Sequence, residues 1–437
     1  MFFKHNFEIN NDLIDKKHLD EFYSFDSNCN LRTAPKLTYS HVHPGPFEKM
    51  KVRLATQVFS HSVAAGMSTA LNIGILPNNS IPTINFINDM DKLFDIFNSS
   101  DTPNSKIFND PFNNNSHQLD HLNKMTEMFK NMKVVSKLSA TDMTQRVNFL
   151  NGWLVSISGL KMLWNSLNVD QNKDYTLCTG RINQDCLENL FGTIRQQLGN
   201  NTNPTPIQFI WAFKKIFCVE YFRHSPDANC IEDLDNVLCQ FNEMNEMSAS
   251  INEIVNPSKT NCNVTQSIFK FNPIKIGTVD YRKLNIPETN ALTYISGYLM
   301  KKCLEKHTCS DCLNYANFQK NIEPSFLLSF FKSTANDNST FGKLTLPHDE
   351  FYNYIFKLES LFVEHFSSLA TEDNVGAKLR DLLINTRLKH PCENFNYSYL
   401  LNLFIRFRIF SSIKFLNRCL MSERVIKHRK LSILKHM

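Results

Sequence analysis

Two carboxylates spaced three positions apart stand at the start of a strongly amphipathic segment. Asp185 and Glu188 would project from neighbouring points on one face of a helix, where they could together hold Mg²⁺ or a polar ligand. Acidic residues in a first helical turn also stabilise a helix through its dipole, and the spacing alone favours this simpler role. The apolar residues around them are spaced to form one helix face, which we expect to be buried: Leu187, Leu190, Phe191 and Ile194.

A second group of residues with chemical potential lies around position 310. Cys309 and Cys312 form a C-x-x-C knuckle, which supplies two of the four ligands that a structural Zn²⁺ requires. Free buried thiols are the alternative, because cysteine also packs as a small apolar residue. Four further residues could complete a zinc site, and the sequence does not choose among them: His307, Cys303, His390 and Cys392.

The composition predicts a folded chain with a sizeable core. Its 437 residues are 42% hydrophobic and 20% charged, and 12 Gly against 36 Phe argue against Gly-rich phosphate loops and long β-meanders. The net charge of +5 is too small to establish a nucleic-acid partner by itself. Twelve scattered Cys fit reduced intracellular thiols better than a disulfide framework. We find no P-loop, dinucleotide, zincin or G-x-S-x-G signature, and we expect no membrane helix and no signal peptide.

Helical periodicity and helix-breaking residues divide the chain into helices that could position these groups. The first thirty residues carry apolar side chains at helical intervals, and residues 225–285 are rich in Asn, Ser and Pro, which predicts a linker. The last block, 288–437, is helical again and ends basic. Between these regions we predict helices at 46–59, 83–98, 119–138, 141–166, 183–199 and 207–222.

The segment with the paired carboxylates belongs to a longer, more specific string. It is Asn-Gln-Asp-x-Leu-Glu-Asn-x-Phe-Gly-x-Ile-Arg at 183–195, followed by Asn-Pro-Thr-Pro-x-Gln-Phe at 203–209. Three further strings precede or follow it: Lys-Leu-Thr at 36–38 with the segment 46–63, Phe-Asp-x-x-Asn at 94–98, and a weaker one at 294–302. In their residues and their order, these strings resemble the P-element transposase family, which includes the THAP-domain transposases of animals.

This resemblance implies a mainly α fold. Family members resemble RNase H-like DDE transposases with a large helical insertion domain. We therefore expect a helical insertion domain, the C-terminal helices of an RNase H-like fold and a helical C-terminal domain. Glu188 matches the family's last catalytic acid, which would hold one of two Mg²⁺ ions in strand cleavage and transfer. The predicted boundaries are 1–175 for the insertion domain, 176–250 for the RNase H-like helices, 251–287 for a linker and 288–437 for the C-terminal domain.

The resemblance also implies a guanine-nucleotide site. The family's insertion domain binds GTP without a P-loop, and GTP there serves assembly on DNA without being hydrolysed. The matching residue types suit this ligand, because ammonium and hydroxyl groups bind phosphates, an aromatic ring stacks on a purine and a carboxylate accepts from guanine N–H groups. Each residue taken singly also has an ordinary role at the surface or in the core. The matched residues are Lys36, Lys51, Val52, Ser60, Phe94, Asp95, Asn98 and Asp185.

One departure from the family pattern bears on activity. A DDE site needs three acids, two of them from strands upstream of the insertion, and one carboxylate cannot hold two metal ions. The early acids lie in polar, helix-like sequence, so we do not assign them to those positions: Asp12, Asp15, Asp20 and Asp26. We expect a truncated or domesticated transposase fragment that does not cut DNA by itself. The alternative is a non-catalytic nuclear helical interaction protein with a dead nucleotide site.

The basic C-terminal tail, Arg406 to Met437, has two interpretations. It could contact the DNA backbone or serve as a nuclear import signal, or it could close the fold as an amphipathic helix with a solvated basic face. We expect the amphipathic helix for residues 400–420, and the sequence does not decide for 422–437. The expected partners are a guanine nucleotide, DNA and a second copy of the chain, and the expected location is the nucleus.

Overall fold

The computed structural model describes the chain in several stretches that form two compact units. The described residues within Met1–Leu93, His121–Lys161 and Phe271–Met437 form the first unit, and those within Phe94–Asp120 and Met162–Lys270 form the second. The predicted linker at 225–285 lies outside the described residues except for its last two positions. The described residues are 5–10, 12–45, 48–100, 106–113, 116–167, 176–199, 201, 203–223, 284–316, 323–333, 341, 344–370, 372–386, 388, 390 and 392–413.

The first unit contains a small antiparallel sheet. Its strands are β1 (His5–Ile9), β2 (Asp12–Ile14) and β3 (Lys133–Ser136), in the order β2-β1-β3. Phe7 on the central strand lies opposite Ile14 on one side and Val134 on the other, and all three side chains are buried. The Phe7 ring packs against Phe86 and Phe149, with ring centroids 5.8 and 5.5 Å apart. One face of the sheet therefore rests on the aromatic core of this unit.

Two predictions of helix are wrong in this sheet. The first thirty residues are helical only from Lys16, and Asp12 lies on a strand where we expected helix-like sequence. The helix predicted at 119–138 ends at Asn131 and is followed by β3. Pairing across the sheet buries Phe7 and the β-branched Val134, and this nonlocal gain outweighs the local helical spacing.

The N-terminal helices of the first unit are short. They are α1 (Lys16–Asp26), α2 (Tyr39–Val42), α3 (Val52–Val58) and α4 (His61–Asn72). The single helix predicted at 46–59 is wrong in part, because a 3-10 turn at Glu48–Met50 precedes α3 and the backbone between them is extended. At Gly66 in α4, a Cβ would lie 2.7 Å from the Phe22 ring, so only glycine permits this close packing against α1.

The middle helices confirm most of the predicted periodicity. They are α5 (Ile81–Phe97), α6 (Ser116–Asn131), α7 (Asn148–Leu167), α8 (Asp185–Gln197) and α9 (Pro206–Arg223). Helix α8 is followed by Gly199 at a positive φ of 65°, and α9 begins at Pro206, as the capping signals predict. The predicted helix at 141–166 begins later, at Asn148, after a 3-10 turn.

The described part of the C-terminal block is helical, as predicted. Its helices are α10 (Ile286–Leu304), α11 (Ser310–Ala316), α12 (Leu327–Lys332), α13 (Asp349–Leu369), α14 (Val375–Leu383) and α15 (397–413). At Gly297 on α10, any Cβ would collide with the carbonyl oxygen of Thr345, which explains the glycine in the fourth string. Among the described residues, no helix combines the length and the apolar character needed to cross a bilayer.

The apolar face predicted on α8 is mostly not buried. Ile194 is 1% exposed, but Leu187 and Phe191 are 51% and 39% exposed. Helix α9 lies beside α8, with the rings of Phe191 and Phe209 6.2 Å apart, and it also carries exposed apolar residues, including Trp211. Two paired helices bury only the seam between them, so the rest of the stripe stays accessible in the described part of this unit.

Candidate functional site

Helix α3 and the string at 36–38 are joined in the first unit by a histidine that the sequence analysis did not single out. The Nδ1 atom of buried His41 accepts from the backbone N–H of Thr38 at 3.0 Å, which leaves Nε2 to donate to Oε1 of Gln57 at 2.8 Å. Thr38 and Gln57 belong to two separate parts of the second string. The structure thus brings these parts together through one neutral imidazole.

Three of the predicted nucleotide residues lie at the starts of helices in this region. Lys51 and Ser60 are the residues that precede α3 and α4, both with extended backbone, and Val52 is the first residue of α3. Lys51 and Val52 are exposed, while the Ser60 hydroxyl donates to the carbonyl of Gln57 at 3.0 Å. The side chains are accessible to a ligand, although they do not by themselves define a pocket.

Lys36 lies at a cavity of about 410 Å³ within the first unit. The cavity wall also includes Arg32, Lys332 and two aromatic residues, Tyr294 and Tyr298. The Lys332 ammonium lies 4.0 Å from the centroid of the Tyr294 ring. Burial, aided by the positive charge of Lys36, lowers the pKa of Lys332 to about 8. This cavity concentrates basic groups beside aromatic rings, a combination suited to an anionic ligand.

In the second unit, a set of hydrogen bonds fastens the end of α5 to the segment that leads into α8. The backbone N–H of Ser99 donates to Oγ1 of Thr179 at 3.0 Å, and the N–H of Thr179 donates to Oγ of Ser99 at 3.0 Å. The N–H of Gly180 donates to the Ser99 carbonyl, also at 3.0 Å. A Cβ at Gly180 would lie 2.9 Å from that carbonyl oxygen, so the close approach requires glycine. These residues precede the first string and were missed by the sequence analysis.

As a consequence, the third string meets the start of the first. The Oδ1 atom of Asn98 accepts from Nδ2 of Asn183 at 3.0 Å. Asn183 comes two positions before Asp185, the first residue of α8, whose side chain lies outside what the structure describes. Asn98 is thereby placed near the N-terminus of α8.

Two other predicted residues lie near this point, and one of them is already in an ion pair. The carboxylate of Asp95 pairs with the Lys106 ammonium at 2.6 Å. Phe94 is half-buried on α5. The eight predicted nucleotide residues are divided equally between the two units, and their convergence on one ligand stays a prediction.

Glu188 lies in the first turn of α8 and is exposed. Its backbone N–H donates to the carbonyl of Gln184 at 2.9 Å, which begins the helix. The family strings assign no second carboxylate to the catalytic set within this chain. A single exposed carboxylate does not fit a two-metal donor set, so we derive no catalytic step through Mg²⁺.

The early acids take part in local structure. Asp15 caps α1 by accepting from the N–H of Lys17 at 3.0 Å, and it pairs with Lys137 at 2.6 Å. Asp26 accepts from Arg32 Nε at 2.8 Å, and Asp20 pairs with a lysine one turn before it. These contacts account for three of the four early acids without any catalytic role.

The C-x-x-C knuckle is part of a cluster of four potential metal ligands in the first unit. Their ligand atoms all lie within 4.8 Å of one another. The backbone N–H of Cys312 donates to Sγ of Cys309 at 3.4 Å, and this hydrogen bond lowers the pKa of Cys309 to about 7. Of the four partners left open by the sequence, the structure selects two. The cluster is His307, Cys309, Cys312 and Cys392.

The other two partners that the sequence left open do not join this cluster. Cys303 is buried in the apolar core of the C-terminal helices, and burial raises its pKa to about 12. His390 accepts from the N–H of Cys392 through Nδ1 at 3.1 Å and stacks on Phe395 with ring centroids 4.1 Å apart. His390 therefore orders the loop that carries one ligand.

The described part of the basic tail is the amphipathic helix that we expected for its first half. In α15, Phe404 and Ile405 are buried, and Arg408 forms an ion pair with Glu359 of α13 at 2.6 Å. Arg408 is thus buried and is not available to DNA, whereas Arg406 is exposed. Residues 414–437 lie outside the described residues.

With this geometry in hand, comparison with known protein families identifies two domains. Residues 1–111 match the family described as TNP-like, GTP-binding insertion domain, and residues 181–214 match TNP-like, RNase H C-terminal domain. The second match covers α8 and the first half of α9, which are therefore the C-terminal helices of an RNase H-like fold. Both matched domains lie in a mainly helical chain.

Two relatives point to the same family. The chain is 25% identical to the Transposable element P transposase of Drosophila melanogaster over 415 residues, which cover 94% of this chain and 50% of that protein. It is 23% identical to the human DNA transposase THAP9 over 279 residues, 60% of this chain and 29% of that protein. The chain spans half or less of the length of these two relatives.

A solved structure, the Drosophila P element transposase strand transfer complex, is also similar to this chain. The TM-score is 0.42 at 30% sequence identity, over 48% of this chain and 46% of that one.

Proposed function

We propose that this chain is a guanine-nucleotide- and DNA-binding member of the transposase family that does not cut DNA by itself. One observation carries the proposal. The matched GTP-binding insertion domain at 1–111 contains seven of the eight residues that the sequence strings predict for the nucleotide, from Lys36 to Asn98. The eighth, Asp185, lies in the second matched domain.

The local geometry in each unit supports the proposal. In the first unit, one imidazole holds the string at 36–38 against α3, close in sequence to Lys51, which could bind phosphate oxygens. In the second unit, Asn98 is hydrogen-bonded near the start of α8. Phe94 supplies a ring for purine stacking, and a carboxylate at Asp95 can accept from guanine N–H groups once it exchanges its bond to Lys106.

Calorimetric titration of the 437-residue chain with GTP and with ATP tests this proposal. We expect saturable binding that is stronger for GTP. Because a hydrogen bond to a charged group contributes about 1.5–3 kcal/mol, Lys51→Ala should weaken GTP binding by about ten- to a hundredfold. Asp95→Asn should weaken GTP binding and reduce the preference over ATP.

Matched controls lie on the same elements. Lys49→Ala removes an exposed lysine two positions from Lys51, and Asp91→Asn removes a carboxylate one turn before Asp95 on α5. Neither should change GTP affinity more than about twofold, since surface changes away from a site are usually within 0.5 kcal/mol. The proposal fails if GTP does not bind saturably, or if Lys49→Ala weakens binding as much as Lys51→Ala.

We propose that the chain does not cut DNA because only one of the three acids that the catalytic site needs is matched in it. Glu188 is the residue matched to the last catalytic acid, and Asp15, Asp20 and Asp26 are engaged in caps or ion pairs. Incubation of the purified chain with supercoiled DNA and Mg²⁺ or Mn²⁺ should therefore produce no nicks. Robust nicking that Glu188→Ala abolishes would contradict this part of the proposal.

We propose that the basic residues of the tail after position 413 bind DNA. We also propose that the protein is located in the nucleus and that it self-associates on DNA. Arg408 no longer belongs to this set because its charge is buried against Glu359. Electrophoretic mobility shifts across a salt series should show affinity that falls steeply with salt. Deletion of 422–437 should flatten that dependence, and an unchanged slope would contradict the assignment.

A second candidate function is a non-catalytic interaction protein whose nucleotide site is dead. The observation that favours it is the internal use of two predicted ligand groups, because Asp95 pairs with Lys106 and Asn98 with Asn183. The calorimetric GTP titration separates the two candidates. If the nucleotide site is dead, neither the wild-type chain nor any variant binds GTP saturably.

A further inference from the structure

We propose that His307, Cys309, Cys312 and Cys392 form a structural Zn²⁺ site that fastens the loop before α15 to the start of α11. The proposal concerns the C-terminal part of the first unit and does not depend on nucleotide or DNA binding. It rests on the chemistry of the four side chains and on the way three separate elements place them.

The donor set is the one that structural zinc prefers. Three sulfurs and one imidazole make a Cys₃His site, and zinc holds such ligands in a closed tetrahedron. With Zn–S bonds of about 2.3 Å, two sulfurs in a tetrahedron lie about 3.8 Å apart. The four ligand atoms here lie within 4.8 Å of one another, so small side-chain adjustments would bring them around one ion.

The knuckle is already shaped for a metal. Cys309 immediately precedes α11 and Cys312 lies in its first turn, where the Cys312 N–H donates to Sγ of Cys309 at 3.4 Å. An N–H donor of this kind stabilises a thiolate, which is the form that binds metal. His307 follows α10, where its backbone N–H donates to the carbonyl of Cys303 at 3.0 Å. Its imidazole therefore reaches the cluster from the connection between the two helices.

The fourth ligand arrives from a distant loop that is ordered by its own contacts. The Cys392 sulfur lies 3.3 Å from Nε2 of His307. The loop around it is held by the His390–Phe395 stack and by the Tyr397 hydroxyl, which donates to the carbonyl of Leu388 at 3.1 Å. These contacts hold Cys392 beside His307.

Burial makes the proposed site closed but reachable. Cys312 is fully buried and Cys392 is 8% exposed, while Cys309 and His307 are half-buried. Solvent can reach one side of the cluster, which gives an entry path for the ion. The other side rests on the apolar core of the C-terminal helices, which includes Leu379 and Phe395. A closed set with no ligand position left for substrate indicates a structural site and not a catalytic one.

Metal analysis of the purified 437-residue chain tests the proposal. We expect one zinc per chain, retained through gel filtration. Cys309→Ser and Cys392→Ser should each weaken zinc affinity by more than about a hundredfold and lower the zinc content. Each removes a ligand, and loss of a group that only orients a ligand already costs about ten- to hundredfold in affinity. Cys303→Ala is the matched control, because this buried thiol lies outside the cluster, and it should leave the stoichiometry at one.

A second variant keeps the test decisive if a serine variant does not fold. His307→Cys replaces one zinc ligand by another, so it should retain one zinc. After exchange with Co²⁺, the wild-type chain should show the thiolate charge-transfer and tetrahedral bands of a three-sulfur site, and His307→Cys should shift them towards a four-sulfur site. Folded wild-type protein without zinc, iron in place of zinc, a disulfide within the cluster, or cobalt spectra unaffected by His307→Cys would each overturn the proposal.

Discussion

The buried ion pair between α13 and α15 yields a prediction whose size follows from the structure. The carboxylate of Glu359 and the guanidinium of Arg408 lie 2.6 Å apart, with side chains 3% and 6% exposed. The guanidinium also lies over the Phe362 ring, 5.0 Å from its centroid. Burial raises the pKa of Glu359, and the charge of Arg408 opposes that rise. Each charge therefore depends on the other to remain inside the core.

Removing one partner should cost much more than removing both. Arg408→Met leaves a buried carboxylate without its counter-ion, which typically costs about 3–5 kcal/mol. The double change Glu359→Leu with Arg408→Met replaces the pair by apolar side chains, and such replacements are often neutral or stabilising by about 1–4 kcal/mol. Arg406→Met is the matched control on an exposed position of the same helix and should stay within about 0.5 kcal/mol.

Urea unfolding followed by circular dichroism gives the free energies of this cycle. Amide hydrogen exchange with mass spectrometry localises the effect, and protection in α13 and α15 should fall in Arg408→Met and return in the double variant. If Arg408→Met costs no more than Arg406→Met, the guanidinium does not neutralise a buried charge. The reasoning on α15 as a closing helix would then be refuted.

Three further predictions test the packing at Gly297, the cavity that contains Lys332, and the hydrogen bonds between Ser99 and Thr179. Gly297→Ala should lower the melting temperature, because its Cβ would collide with the Thr345 carbonyl, whereas Gly159→Ala in α7, with open space around it, should stabilise by up to about 1 kcal/mol. The unfolded chain keeps the Lys332 proton up to about pH 10.5, but the folded chain loses it near pH 8, so stability should rise with pH between these values by up to about 3 kcal/mol. Urea titrations across that range should show the rise in wild type and its loss in Lys332→Met. Thr179→Val removes the hydroxyl that accepts from the N–H of Ser99, and it should lower the free energy of unfolding by about 1–3 kcal/mol. Amide hydrogen exchange at the end of α5 should increase. Exchange at the wild-type rate in this variant would contradict the proposed role of the Ser99–Thr179 hydrogen bonds.

Local patterns predicted the helices well where neighbours in sequence are also neighbours in space. Helices α5 and α9 were placed almost to the residue, and the stop after α8 was recognised from Gly199. The two wrong helix predictions, at 5–14 and after Asn131, concern one sheet. Strand β3 lies more than a hundred positions after β1, so no short window of sequence contains the pairing between them. The pairing of β1 with β2 is local, but the helical spacing of the apolar residues concealed it.

The candidate sites divide in the same way. The residue strings were sufficient to indicate a resemblance to the transposase family, because family motifs are carried by residue type and order. The roles predicted for Glu188 and Lys51 stay predictions. The strings could not show that His41 joins two parts of one string, or that Ser99 and Thr179 fasten the end of α5 to the segment that leads into α8. The reason is that His41, Ser99 and Thr179 lie outside the recognised strings.

By itself, the sequence determined the resemblance to a transposase family and most helices, since residue order and helical spacing are properties of the chain alone. Only the tertiary structure decided which residues become buried or meet. Cys392 joins the cysteine–histidine cluster although it lies 80 positions after Cys312. Arg408, which the sequence placed among the basic residues of the tail, forms a buried ion pair with Glu359. The predicted apolar face of α8 remains largely exposed. The physical reason is that burial depends on which distant segment covers a surface. The contacts that stabilise such burial form between residues far apart in sequence, so a local sequence pattern does not reveal them.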